Sequence, residues 1–484
     1  MVSGEGERTD QAASPAALGP APDRDRPVTR TLLLIALVTA VIGSLGAPLI
    51  TSVATTLHVS LDAAQWTLTI ALLAGAVATP VLGRLGTGAR RRAVVVAALG
   101  VVTAGSVLTV LPLPFGVLLT GRAAQGCGLA VTPLMMAAAR EHLSVRQAPQ
   151  AIALISVVSA GGVGVGYPLA GYLTDLAGMR AAYGAGLALT AAALAVAARS
   201  FPRSDRPAAV RPDAVASLLL TAGLLALLLV LGEISLWQRH RPAAVALALL
   251  SAVLLAGWVA RERTLTRPLI DLRLLRHRSI AGANAAMLVG GAGIYLLLTC
   301  VTRYVQTPAA AGYGFGLDTF RAGLFLVPFS VFSFVAGRVS LSLHRRLSPA
   351  ALLNLATVVS MAALLVFAIA PDHLAGPLVA MSLLGLGVGG FLSAMPAVIL
   401  QVTPEQETAS AMGVNQVVRS TGFSLGSTVT GLILAAYTPA GAVFPASQGY
   451  RTAAWIGCAV TAVALVIGLT LHPRKEHRAQ PAGT

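Results

Sequence analysis

The chain is poor in the groups that carry out aqueous chemistry. Of its 484 residues 11% are charged and 5% aromatic, and lysine is nearly absent, so arginine supplies almost all the positive charge. The three cysteines, Cys127, Cys300 and Cys458, stand far apart, with no CxxC pair and no Cys/His spacing. That excludes a zinc site read from spacing and leaves them as small apolar packers. All eight histidines lie in loops, tails or near the ends of apolar runs, which argues against a buried histidine cluster for a metal or proton relay. No metal and no cofactor is expected. No connection between apolar runs exceeds a few tens of residues, so an aqueous catalytic domain has nowhere to sit. No His/Asp/Ser constellation supports catalysis either, and the chain is not expected to be an enzyme. A carboxylate near the middle of an apolar run is also missing.

What is present is hydrophobic length. With 56% apolar residues and a mean hydropathy of +0.79, the chain is not an ordinary water-soluble protein. At about 34 residues per helix and loop it holds about fourteen spans of about 20 residues each. They fall near 32–57, 66–86, 93–111, 114–139, 148–173, 181–200 and 213–236. The remaining seven fall near 243–260, 279–305, 319–343, 350–370, 376–400, 409–437 and 450–471. The net charge of +16 invites a nucleic-acid reading, but the positions oppose it. With a cytoplasmic N-terminus, about 26 of the 34 Lys and Arg lie on that side, about 6 on the other, and Arg122 and Arg419 within spans. This asymmetry places both termini in the cytoplasm and needs no nucleic acid. Residues 1–30 and 473–484 read as polar tails. The first span is too long for a signal peptide and lacks a cleavage site, so it is expected to be retained.

Arg122 stands out in a run, 113–139, that is otherwise uncharged. A guanidinium inside a membrane helix costs at least a few kcal/mol and is tolerated facing a bundle interior or a watery cavity. With Gln125 one turn away it reads as the polar lining of a transport path. The alternative is an arginine that snorkels to the headgroups. Asn415, Gln416 and Arg419 form a second polar group. Asn415 and Arg419 share a helix face, as part of the path or as interhelical hydrogen bonding that fixes the bundle.

The chain also repeats itself at an offset of about 254–260 residues, as transporter halves do. Gly83-Arg84 with Arg91-Arg92 matches Gly337-Arg338 with Arg345-Arg346, and Gly126-Cys-Gly128 matches Gly385-Leu-Gly387. Gly162, Gly166 and Gly171 match Gly422, Gly426 and Gly431. Six spans at 31–200 then pair with six at 266–472, leaving 201–265 as a linker and inserted helix pair. Arg122 has no charged counterpart: its repeat partner falls near Met381. A chamber between the halves is expected to be polar on one wall and apolar on the other, and with only 5% aromatic residues its pocket is expected to be aliphatic and Met-lined, with Met135, Met136 and Met395 as contributors.

These residues resemble the fourteen-helix drug–proton antiporters of the major facilitator superfamily over nearly the whole chain, from about Thr31 to Leu471. Gly83-Arg84-Leu-Gly-Thr87-Gly with Arg90-Arg91-Arg92 resembles the motif between spans 2 and 3, and Gly121-Arg122-Ala-Ala-Gln125-Gly126 the fourth-span arginine motif. Gly162-Val-Gly-Val-Gly166-Tyr-Pro168-Leu-Ala-Gly171 resembles the antiporter motif on span 5. Arg267-Pro268-Leu-Ile-Asp271 and Gly413-Val-Asn415-Gln416-Val-Val-Arg419 are further matches. The resemblance implies an all-α membrane protein of the major facilitator fold, with two six-helix bundles and an inserted hairpin. It further implies a multi-pass, monomeric plasma-membrane exporter of drugs or antibiotics, driven by protons. In physical terms the span 5 glycines let a neighbouring helix approach and slide, and Pro168 permits a bend.

Two departures bear on mechanism. Thr87 stands where many members carry Asp, so a latch on the cytoplasmic gate must be neutral or lie elsewhere. Span 1 has no acid across 43–51. The acids left for proton coupling are Asp62, Asp175, Glu233 and Asp318 near the outer span ends, each of which also reads as a solvated loop acid. Glu233 has the most apolar neighbours in sequence. Rival readings are a proton-independent facilitator or metabolite importer, and a membrane sensor that has lost transport.

Overall fold

The computed structural model describes residues 22–46, 49–207, 213–232, 236–237, 240–266, 268–439, 442 and 444–471. Those residues form helices and connections with no β-strand. The first half of the chain carries α1 (Pro22–Ser44), α2 (Ile50–Leu57), α3 (Leu61–Leu85), α4 (Arg91–Val110), α5 (Phe115–Gly126), α6 (Val131–His142), α7 (Ala148–Ala177) and α8 (Met179–Ser200). Then come α9 (Ala214–Gly232), α10 (Arg241–Thr264), α11 (Leu272–Arg276), α12 (Arg278–Gln306), α13 (Thr319–Leu324) and α14 (Leu326–Leu343). The last four are α15 (Pro349–Ile369), α16 (Ala375–Leu400), α17 (Thr408–Ala436) and α18 (Ser447–Leu469).

Eleven helices among the described residues are long and apolar enough to cross a bilayer. The start signals are ordinary ones. Ser60, Asp318 and Ser348 accept from the amides of Ala63, Arg321 and Ala351 at 3.1, 2.7 and 3.2 Å, filling orphan donors at the starts of α3, α13 and α15.

Three expected spans are interrupted, 319–343 only at Phe325 between α13 and α14. The run 32–57 is not one helix: α1 stops at Ser44 and α2 resumes at Ile50. The intervening sequence holds Gly46 and Pro48, and a proline supplies no amide to the ladder. The run 114–139 divides into α5 and α6 around a 3-10 turn at Cys127–Ala130. Pro133 cannot donate to the Leu129 carbonyl one turn back, and the chain tightens there. The first helix also starts at Pro22, inside the stretch read as a tail.

The helices pack in two groups. In the first, α1 lies on α7 and α8, α3 on α5, and α4 on α5 and α8. In the second, α12 lies on α17 and α18, α14 on α16, and α15 on α16 and α18. The repeat seen in sequence governs these contacts. A methyl group on Gly126 would fall 2.1 Å from the Ala71 carbonyl oxygen of α3, and one on Gly385 would fall 2.2 Å from that of Phe329 in α14. Gly162 and Gly166 bring α7 equally close to Ala40 and Ser44 of α1, and Gly422 and Gly426 bring α17 close to Leu288 and Ala292 of α12. Between the groups the approach varies: a methyl on Gly337 of α14 would fall 2.7 Å from the Val157 side chain of α7. The corresponding positions on Gly171 and Gly323 lie 3.6 and 3.7 Å from Phe320 and Pro168. The glycine stripe of α7 therefore fixes a pair inside one group, and only its outer end, with Pro168, meets the other.

This contrast gives a direct expectation. Gly126→Ala and Gly426→Ala should each cost about 1–3 kcal/mol of overpacking, because backbone blocks the new methyl, while Gly171→Ala should be close to neutral for folding. Thermal melting of the purified variants would reveal the difference.

The pair α9 and α10 packs mainly on itself, with α9 also touching α3 and α17. Ser251 of α10 donates to the Gly223 carbonyl of α9 at 3.0 Å.

Candidate functional site

Arg122 is fully buried inside the first group. Its Nε donates to the Thr67 carbonyl of α3 at 2.9 Å, and its Nη1 to Gln125 Oε1 at 2.5 Å and to the Ile42 carbonyl of α1 at 3.4 Å. Gln125 in turn donates to Ser106 and Thr109 of α4 at 3.0 and 3.2 Å, and Thr190 of α8 reaches Ser106 at 3.4 Å. Ile42 lies in the last turn of α1, where carbonyls have no helical partner, so the guanidinium closes a helix end and meets its negative dipole. Gly46 makes the approach possible, since a methyl there would fall 2.4 Å from Nη2. Nη2 and the Tyr183 hydroxyl are buried without a protein partner.

The arginine does not snorkel, and it lines none of the cavities described below. Its neighbours come from five helices of one group, which the single-span reading did not foresee. Met381, its counterpart by repeat, is buried in the second group, and Met135, Met136 and Met395 are packed in the core. The expected Met-lined wall is therefore not where those residues lie.

The second polar group divides. Asn415 Nδ2 donates to Asn284 Oδ1 of α12 at 3.0 Å, a bond within one helix group. Arg419, half-buried, bonds Gln416 instead. No ion pair to Arg122 or Arg419 occurs among the described residues. Beyond Arg419, on the same helix, Ser420, Phe423, Ser424 and Ser427 line a cavity of about 130 Å³ with Gln65 and Thr69 of α3. Tyr295 and Phe423 stack there at 4.9 Å, beside Leu68, Leu72, Leu73 and Leu228, so this pocket adds two aromatic rings to an aliphatic lining.

The candidate acids scatter. Glu233 lies outside the described residues, as does the side chain of Asp62. Asp175 is exposed at the outer end of α7. Asp318 caps α13 and pairs with Arg321 at 3.4 Å.

The span 2–3 motif leads to the clearest junction between the groups. Arg84, just after Gly83, pairs with Glu407 at 3.1 Å, across 323 residues of sequence. Arg140, at the end of α6, donates to Thr408 Oγ1 at 2.9 Å and to the carbonyls of Leu400 and Thr403 at 3.2 and 2.9 Å. Arg206 pairs with Glu405 at 2.9 Å. Thr87 stays local, its hydroxyl donating to the Arg84 carbonyl at 3.0 Å, while Arg91 pairs with Glu141 and donates to the Gly86 carbonyl at 3.2 Å. Arg84 and Glu407 thus form a charged tie, or latch, between the two groups. Arg140 completes it by capping the carbonyl end of α16.

Beside this junction a cavity of about 670 Å³ opens between the α6–α7 corner and the inner ends of α14 and α16. The sequence profile of the family described as Major Facilitator Superfamily matches residues 32–427 and 319–484. The chain belongs to the major facilitator superfamily. It is 25% identical over 381 residues to a multidrug resistance protein B homolog of Mycobacterium tuberculosis, covering 76% of this chain and 68% of that one. To a probable actinorhodin transporter of Streptomyces coelicolor it is 29% identical over 394 residues, covering 77% and 66%. The solved structure of the human organic anion transporter MFSD10 shares the fold, with a TM-score of 0.64 at 14% identity over 93% of this chain and all of that one. Major facilitator proteins are multi-pass membrane transporters of small molecules, not enzymes.

Sequence reasoning missed the acceptors at this junction, although Pro404-Glu405-Gln406-Glu407 before α17 is a plain helix-start signal. It also missed Glu262, buried at the end of α10. Glu262 Oε1 accepts from the Ile270 amide at 2.7 Å, and its other oxygen has no protein partner. The bond pins the connection after α10, whose Leu269 and Ile270 pack with Ala216, Leu220, Trp258 and Val417. Glu262→Ala should cost about 1–3 kcal/mol, because the Ile270 amide is then left buried and unpaired. Glu262→Gln, which keeps an acceptor, should lose less, as thermal unfolding in detergent would register.

Proposed function

We propose that this major facilitator protein is a fourteen-span secondary exporter of amphipathic small molecules, drugs or antibiotics, driven by inward proton flow. In this reading it acts as a monomer in the plasma membrane with both termini cytoplasmic. Its two six-span bundles would be 31–200 and 266–472, with α9 and α10 as the inserted pair. Three further elements support the count. The α5–α6 train, α7 and α17 are long enough to cross beside the eleven more apolar helices. Export is supported by the names of the mycobacterial and streptomycete relatives.

The observation that carries the reading is the pair of helix groups joined by the ion pairs and hydrogen bonds of Arg84, Arg140 and Arg206. Such an arrangement suits alternating access, in which the groups rock and the latch breaks once per cycle. Arg122 and Gln125, buried away from the cavities, serve by holding the first helix group together, Arg419 as a cationic group toward the path, and Asn415 as a brace. Proton coupling falls to Glu233, Asp175 or Asp62, since an arginine does not release its proton at ordinary pH.

Counterflow in proteoliposomes at several proton gradients tests this. Substrate movement that follows the gradient, lost in Glu233→Gln, supports antiport. Movement indifferent to the gradient excludes it and favours the facilitator reading, to which the acid-free centres of the described spans already lend weight.

A further inference from the structure

The 670 Å³ cavity gathers positive charge from three separate segments. Arg140 ends α6, Arg146 follows in the turn to α7, and Arg345 lies just beyond α14 with His344 beside it. Burial holds the His344 imidazole below its ordinary range, so at neutral pH the cations here are the arginines. One carboxylate, Glu405, reaches the same wall, and Arg206 already engages it at 2.9 Å. Arg140 hydrogen-bonds neutral oxygens only, while Arg146 and Arg345 are exposed and have no ion pair among the described residues. The rest of the lining is largely apolar, with Leu143, Ile152, Leu341, Pro396 and Leu400.

This combination selects a ligand class. A small inorganic anion would use the charge and leave the apolar bed unsatisfied. A lipophilic cation would fit the bed against three like charges. An amphipathic anion satisfies both, and the volume falls in the range of drug-sized ligand sites, about 300–1,000 Å³. The walls belong to different helix groups, α6 and α7 on one side and α14 and α16 on the other, so an occupant touches both partners of the latch.

We propose that this cavity is the intake site for a soluble organic anion with an apolar body, bound from the cytoplasm beside the latch before transfer inward. Its direction of travel rests on the exporter reading, whereas the binding itself does not. The volume and the position beside the latch favour such a molecule over a two-chain phospholipid.

The test uses the full chain in nanodiscs of phosphatidylcholine, titrated with 11-(dansylamino)undecanoate and with the cation dansylcadaverine. The parent should prefer the anion. Arg146→Glu with Arg345→Glu should weaken anion binding by about tenfold or more, through like-charge repulsion at the site. Arg146→Lys with Arg345→Lys should keep most of it, and Arg180→Glu at the opposite face should change nothing. An unaltered melting curve shows that the double variant is folded; if it is not, the same comparison is made with Arg345→Glu alone. Equal binding of anion by parent and charge-reversed protein would overturn the proposal. So would displacement of the probe by phosphatidylglycerol added to the nanodisc, which would make the occupant a lipid headgroup. If anion binding behaves as expected while vesicles export no anion under any gradient, the exporter reading fails and the site stands.

Discussion

Arg122→Leu should abolish transport and loosen the first helix group. The substitution removes a fork that holds the Thr67 carbonyl, the Ile42 carbonyl and Gln125 at once. Thr67 keeps its place in the helical ladder, but Ile42 and Gln125 are left buried without that donor, at about 1–3 kcal/mol for each unsatisfied group. Part of this is returned, because a buried guanidinium is itself costly and leucine is not. The net stability loss should therefore be about 1–3 kcal/mol, and the functional loss larger. Arg122→Lys separates the two roles, since an ammonium keeps the charge but cannot span three acceptors from two helices and its own turn. A lysine variant that melts like leucine yet still exports would assign the arginine to charge. Full export by the leucine variant would remove Arg122 from the mechanism. Growth of a drug-sensitive host and melting of purified protein supply the two readouts.

The second large effect is expected at the latch. Arg84→Glu places like charges where Arg84 and Glu407 now meet with side chains 11% and 24% exposed. That degree of shielding makes the pair worth more than a surface ion pair, and the reversal should shift the balance of open and closed forms of this face by about 1–3 kcal/mol, or roughly 5–150-fold. Spin labels at Val145 and Leu347, one on each helix group, should move apart in the variant. Adding Glu407→Arg should bring them back, as a double-mutant cycle requires of a direct pair. Failure of the double variant to recover would show that Arg140 and Arg206 hold the face closed without Arg84.

Hydropathy, a local property, read the spans well because membrane helices satisfy their own backbones. It could not see the breaks after Ser44 and in Cys127–Ala130, because a single proline such as Pro48 or Pro133 barely changes a hydropathy average. The span 5 glycines were legible as close-packing positions by their spacing, but not their partner: Gly162 and Gly166 serve α1, and only Gly171 faces the other group. Arg122 was legible as a charge within a span, with snorkelling as the alternative. Its acceptors were not, because two of the three are main-chain carbonyls, which carry no residue signature. Glu407 went unnoticed because an acid before a helix reads as a helix cap, and only the folded chain brings it to Arg84.

The difference in spacing between the glycine contacts at Gly426 and at Gly171 has a mechanical consequence. Where backbones already touch, as at Gly426 against Ala292, a covalent staple would restrain nothing that moves. A staple across the seam, from the C-terminal end of α7 to α13, would join the two groups directly. In a protein that works by tilting one group against the other, that staple should arrest transport with both groups intact.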